Sequence, residues 1–144
     1  MKKKFQVGSD LDNVQKTSRK VMSFLKPMSL NPATSFDIRL CLEEALINAM
    51  KYGNVLRKNL PVTLEVEYLP REVRITVEDR GPGFDVKKVE DCTEEKNRFR
   101  ASGRGVYLMH QLMDEVRYNN KGNKLTLVKS LNNGGSSPRR RGSS

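Results

Sequence analysis

Two runs near the middle of the chain alternate apolar and polar residues with period two: Val62-Thr63-Leu64-Glu65-Val66-Glu67-Tyr68 and Val73-Arg74-Ile75-Thr76-Val77-Glu78-Asp79. That alternation predicts two strands, each with one face in a core and one in water, and Pro70-Arg71-Glu72 predicts the turn between them. Asp79 falls on the inward phase with Val73, Ile75 and Val77, so an acid arrives on the core side at the strand's end. Either a bulge at Arg80-Gly81 turns it outward, or it is buried with polar partners. An unpaired buried carboxylate costs several kcal/mol or takes up a proton.

Elsewhere the pattern has the period of a helix. At about 100° per residue Ile38, Leu42, Ala45, Leu46 and Ala49 share one face, with Glu44, Asn48 and Lys51 together on the opposite one. Thr34 or Ser35 is placed to cap this helix and Gly53 to end it. Its polar face is either an ordinary solvated side or a working surface. Upstream, Phe5 and Val7 predict a short first strand. Ser9 or Asp10 predicts a cap, and Leu11, Val14, Val21, Phe24 and Leu25 a helix that Pro27 ends, with a loop over residues 27–32.

The C-terminal half completes the same set of elements. Gly81-Pro82-Gly83-Phe84 follows the acid-ended strand at once, and its two glycines allow the backbone to turn sharply and approach a ligand. Residues 85–102 are charged with little periodicity, which in a compact domain suggests a lid. Ser102-Gly103-Arg104-Gly105 then opens a helix with Val106, Met109, Leu112 and Met113 inward. Free N–H groups and the dipole at such a helix start favour phosphate. The spacing is that of neither a P-loop nor a Rossmann fingerprint. Residues 116–119 and 125–131 predict the last two strands, joined by the turn Asn120-Lys121-Gly122-Asn123. From Asn132 onward Gly, Ser, Pro and Arg predict a disordered tail behind a single domain over residues 1–131.

Composition narrows the chemistry. The net charge is +10, but Lys2, Lys3, Lys4, Arg139, Arg140 and Arg141 supply six of those charges, which leaves 21 basic against 17 acidic groups. With no tryptophan and no basic stripe with interleaved aromatics, direct nucleic-acid binding is not expected. Two cysteines, Cys41 and Cys92, and the single histidine His110 poorly supply zinc ligation, a disulfide framework or Ser-His catalysis. No apolar run suits a membrane span or a signal core, so a cytoplasmic location is expected.

Three separated pieces, in order, match one family. Glu44-Ala45-Leu46-Ile47-Asn48-Ala49-Met50-Lys51-Tyr52-Gly53-Asn54 resembles the N box of the GHKL ATPases. Asp79-Arg80-Gly81-Pro82-Gly83-Phe84 resembles their first glycine box, and Ser102-Gly103-Arg104-Gly105-Val106 the second. The size, the Tyr52-Gly53-Asn54 ending and Leu112-Met113-Asp114-Glu115-Val116 look most like the anti-sigma-factor serine kinases of the RsbW and SpoIIAB type. The resemblance implies an α/β two-layer sandwich, a mixed, mostly antiparallel sheet with helices on one face, and ATP held beneath a lid over residues 86–101.

By position, the resemblance makes Asn48 the Mg2+ ligand, Glu44 the general base and Asp79 the reader of the adenine amine. Gly81 and Gly83 flank the base. Ser102, Gly103, Arg104 and Gly105 receive the phosphates, with Lys51 as a further phosphate contact. Asn123 stands where relatives commonly carry a threonine near the adenine, and Ala101 where the serine kinases often carry a partner-contacting arginine. The implied function is an anti-sigma factor and serine-protein kinase that phosphorylates an anti-sigma-factor antagonist and holds a sigma factor. The alternative is a non-catalytic ATP-binding module for partner switching. Whether the chain forms a homodimer, as its relatives tend to, stays open.

Overall fold

The computed structural model describes residues 1–81 and 101–131, with residues 101–106 described by backbone alone. Residues 82–100 and 132–144 lie outside the described residues, and with them Gly83, Cys92, the expected tail and all of the expected lid except Ala101.

Five strands make one sheet: β1 (Lys2–Val7), β2 (Val62–Leu69), β3 (Glu72–Glu78), β4 (Glu115–Tyr118) and β5 (Lys124–Ser130), in the spatial order β1-β2-β3-β5-β4. All four pairings among the described residues are antiparallel, in line with the mostly antiparallel sheet that the resemblance implies. The register accounts for the period-two pattern. Leu64 lies opposite Val77, Val66 opposite Ile75, and Ile75 opposite Leu127, so the apolar sets coincide on one face. On the other face a polar row runs Glu65, Thr76, Thr126, Arg117 across four strands. Burial of the first set against helices drives this choice of face, since a slip of one residue would expose every one of these side chains.

Among the described residues three α-helices cover the apolar face: α1 (Asp12–Phe24), α2 (Pro32–Asn48) and α3 (Ala101–Leu112). α2 lies between the other two, and Ile38, Cys41, Leu42, Ala45, Leu46, Ala49 and Met50 join the core. Phe24 of α1 and Tyr68 of β2 close one end with ring centroids 5.2 Å apart. Among the described residues no helix is long and apolar enough to cross a membrane.

Three local details differ from the sequence expectation. The α2 cap is Asn31, whose side chain accepts from Thr34 N at 2.8 Å while Pro32 occupies the first turn, a pairing that suits a helix start. Ser9 does not cap α1. It is buried and donates to Leu60 O at 2.6 Å, while Asp10 Oδ1 accepts from Asp12 N at the helix start. α2 also does not run as an α-helix to Gly53, because after Asn48 it widens into a π-turn, Ala49–Gly53, in which Asn54 N donates to Ala49 O. The 100° projection therefore holds to Asn48 and lapses at Lys51.

A charged contact is buried within the layered core. Lys129 follows Leu125 and Leu127 on the inward phase of β5, only 4% exposed. Its Nζ lies 3.2 Å from Asp37 Oδ2 on α2 and donates to Leu112 O at the end of α3 at 2.6 Å. The lysine thus joins strand, central helix and glycine-box helix, and its charge suits a helix C-terminus. Next to it the Cys41 thiol is fully buried, and desolvation, with Asp37 adding, pushes its pKa up to about 12. That thiol stays protonated and is a poor nucleophile.

Asp37→Ala strands the Lys129 charge and should cost about 3 kcal/mol in urea unfolding. Asp37→Leu combined with Lys129→Met removes both charges and should recover part of that loss. A double variant less stable than Asp37→Ala would show that the pair itself is not what the packing depends on.

Candidate functional site

The site forms where the end of α2 meets the end of β3. Asp79, immediately after β3, is 8% exposed and keeps the inward phase predicted for it, with no outward bulge. The β3–β5 ladder continues past its last strand pair, since Asp79 N donates to Asn123 O at 2.9 Å and Asn123 Nδ2 donates to Asp79 O at 3.3 Å. Asn123 is held in turn by Asn119, whose Nδ2 donates to Asn123 Oδ1 and whose Oδ1 accepts from Gly122, Asn123 and Lys124 N–H groups. Gly122 sits at φ 82°, where a side chain would strain the turn. The hairpin turn is therefore fixed against the acid, with Asn123 beside it.

The Asp79 carboxylate is committed on one oxygen. Oδ1 accepts from Gly81 N at 2.8 Å, whereas among the described residues Oδ2 accepts no hydrogen bond. A carboxylate can take several donors, so the open oxygen of this largely buried acid is suited to an amine brought in by a ligand. Burial pushes the Asp79 pKa above its ordinary value and Glu78 adds to the shift, while the Gly81 N–H and Lys121 oppose it.

Two glycines make this junction possible. A Cβ on Gly53 would overlap Cγ and Oδ2 of Asp79, and a Cβ on Gly81 would overlap the Gly53 carbonyl. Glycine is needed at Gly81 because the Gly53 carbonyl presses on it, a reason that stands beside the ligand approach the sequence suggests. The N box and the first glycine box are thus in contact at Gly53, Asp79 and Gly81.

Asn54, which follows Gly53, holds the site's backbone together, a role that sequence reasoning did not assign. It is fully buried. Its Nδ2 donates to Ser9 Oγ at 3.0 Å, Leu60 O at 2.9 Å and Pro61 O at 3.2 Å, and its Oδ1 accepts from Arg80 N at 2.7 Å. One amide therefore ties the β1–α1 connection, the chain entering β2 and the chain leaving Asp79. A signal was present in the sequence: an asparagine directly after a motif glycine, where polar side chains hold turns.

Glu44 and Asn48 lie one turn apart on α2, both half-buried, ahead of the π-turn that delivers Gly53 to Asp79. Lys51 is exposed on the widened turn, its Nζ 5.6 Å from the centre of the Tyr52 ring. Ser102, Gly103, Arg104 and Gly105 fall within the first turns of α3, which begins at Ala101, where the sequence suggests a turn ahead of the helix. α3 packs on α2, so the second glycine box and the Glu44–Asn48 helix belong to neighbouring elements.

A profile of the histidine kinase-like ATPase domain matches residues 7–129. The chain is 27% identical over 139 residues to an anti-sigma F factor of Clostridium perfringens, covering 92% of this chain and 96% of that protein. It is 27% identical over 103 residues to the serine-protein kinase RsbW of Listeria monocytogenes, covering 67% and 66% of the two chains. A serine-protein kinase RsbW of Oceanobacillus iheyensis is 26% identical over 91 residues, covering 59% of this chain and 58% of that one.

Asn54→Ala would leave the Arg80 N–H and the Pro61 carbonyl without their present partner, while the Leu60 carbonyl keeps the Ser9 hydroxyl. At roughly 1 to 3 kcal/mol for each buried group left unsatisfied, the variant should lose at least about 2 kcal/mol in denaturant unfolding. Loss of less than about 0.5 kcal/mol would mean that water replaces the amide and that the three segments are not joined by it.

Proposed function

The chain belongs to the histidine kinase-like ATPase family, and from that premise we propose that it is an anti-sigma factor with ATP-dependent protein serine kinase activity. The observation that carries this reading is Asp79, a buried acid with one oxygen held by Gly81 and the other open to a donor. The exocyclic amine of adenine is such a donor. Similarity to an anti-sigma F factor over nearly the whole chain supports the regulatory role, and similarity to two RsbW kinases supports the activity.

Each residue then has a task. Asp79 Oδ2 accepts from the adenine amine while Gly81 keeps the carboxylate oriented. Asn48 offers an amide oxygen, a hard donor that fits Mg2+, an ion that completes its shell with water and phosphate. When bound, that ion neutralises phosphate charge as it builds up in transfer. Free backbone N–H groups in the first turn of α3, at Ser102, Gly103 and Arg104, would receive the phosphates, with Arg104 and Lys51 as added positive charge. Glu44 takes the proton from a serine hydroxyl of the antagonist as the serine oxygen bonds to the γ-phosphorus, and the bond from that phosphorus to the bridging oxygen breaks, releasing ADP. Sequestering a sigma factor is the second activity, and both partners meet the protein in the cytoplasm.

Acidification should separate binding from folding. With its folded pKa raised, Asp79 holds a proton more tightly in the native state, so its contribution to stability is present below its unfolded value and is lost as pH rises through the folded one. ATP affinity runs the opposite way, because an amine needs an ionised acceptor, and it should fall as pH drops through that same raised pKa. Asp79→Asn should weaken ATP binding about 5- to 150-fold, or about 1 to 3 kcal/mol, and flatten this pH dependence in calorimetry. Unchanged affinity in the variant would remove Asp79 as the adenine reader.

Phosphoryl transfer tests Glu44. Glu44→Gln keeps the shape and removes the base, so ATP and partner binding should persist while phosphate transfer to the antagonist slows at least about a hundredfold. If the wild-type chain transfers no phosphate to any cognate antagonist and ATP still changes its partner affinity, the protein is a nucleotide-gated binding module and not a kinase.

A further inference from the structure

We propose that residues 51–58 form a docking surface for an acidic protein segment that carries apolar side chains, a partner surface that rests on the partner-binding reading above. Three large apolar side chains stand in water within five residues: Tyr52 is 48% exposed, Val55 64% and Leu56 44%. Val55 and Leu56 adopt φ 51° and 57°, a left-handed conformation that a β-branched residue in particular disfavours. The fold therefore accepts local strain in a segment that keeps apolar groups exposed, and such strain concentrates at functional sites.

The segment is held in place. Asn54 N donates to Ala49 O at 2.8 Å, Leu56 N to Met50 O at 2.7 Å, Arg57 N to Asn54 O at 3.0 Å and Leu60 N to Arg57 O at 2.9 Å. With the buried Asn54 side chain at its base, the surface is preorganised, which lowers the entropy cost of docking. Its charge selects the occupant. Residues 51–58 contain Lys51, Arg57 and Lys58 and no acid, and Arg80 adjoins them through the hydrogen bond of its N–H to Asn54. Of these cations only Lys58 is ion-paired among the described residues, to Asp10 at 3.5 Å, while Arg57 and Arg80 are in no ion pair there. Exposed apolar groups with unpaired cations complement a segment with glutamate or aspartate around leucine-like side chains.

The test uses the full chain and a fluorescent amphipathic peptide of leucine and glutamate, followed by anisotropy. Val55→Gly with Leu56→Asn puts residues that tolerate the left-handed conformation at both positions and removes the apolar groups. This variant, and separately Arg57→Glu, should weaken peptide binding at least tenfold, as should replacing the peptide's glutamates by glutamine. ATP affinity, measured in parallel, should change less than twofold in the Val55→Gly, Leu56→Asn chain. Equal binding by that variant, no binding by the wild type, or an equal loss from the remote reversal Lys4→Glu would overturn the proposal. So would a self-association seen by sedimentation that this double variant abolishes, since the occupant would then be a second copy of the chain. Failure of the chain to bind ATP would sink the kinase reading alone, because the peptide comparisons contain no nucleotide.

Discussion

The structure turns on a carboxylate kept from water at the end of an antiparallel sheet. A buried acid costs least where its oxygens find donors. At Asp79 one oxygen has such a donor and the other stays open, and the elements that hold the carboxylate are remote in sequence. Gly81 donates to one oxygen, the Asn123 hairpin secures the Asp79 backbone, and Gly53 packs against the carboxylate with no Cβ between them. Each of these depends on another element being in place: β5 for the hairpin, α2 for Gly53, and the π-turn for bringing that glycine round.

Polar ties of the same kind recur at the other joints of the fold. Lys129 joins β5 to α2 and α3 through Asp37 and Leu112, and Asn54 joins three connections through one amide. Neither tie is needed for hydrophobic burial, which leucine at Lys129 would serve at least as well. What a buried ion pair or amide adds is a definite geometry, since a misplaced partner leaves a desolvated group unsatisfied. In a chain whose proposed working residues are spread over α2, the end of β3 and the start of α3, fixing the angles between layers matters more than adding apolar contact.

The parts of this arrangement that were legible in the sequence are those written in periodicity. The alternation in β2 and β3 gave both strands and placed Asp79 on the inward phase, and the spacing along α2 gave its core face as far as Asn48. The parts that escaped depend on contacts across the chain. Asn31 caps α2 three residues before the expected caps because Pro32 belongs to the helix, a role that Pro32 shares in sequence with ending a loop. Ser9 looks like a cap until Asn54 and Leu60 are brought to it. Gly53 reads as an ordinary helix end, and only the close approach of Asp79 shows what its missing side chain is for. Lys129 was the most readable of the missed residues, because it continues the inward phase of Leu125 and Leu127 and so required a buried partner.

Joining the acid to the exposed segment that follows α2 has a thermodynamic consequence. The backbone that packs on Asp79 at Gly53 continues directly into the exposed Val55 and Leu56, and Asn54 between them also holds Arg80, the residue after the acid. A ligand that orders one end of this short path restricts the other, because the hydrogen bonds at Asn54 and the contact at Gly53 leave little slack for independent motion. Linkage then requires reciprocity: if nucleotide at Asp79 favours one arrangement of the segment, a partner that prefers that arrangement must tighten nucleotide binding by the same factor. If the proposed partner surface works this way, no separate transmitting domain is needed, since the glycine that admits the buried acid adjoins the exposed Val55 and Leu56.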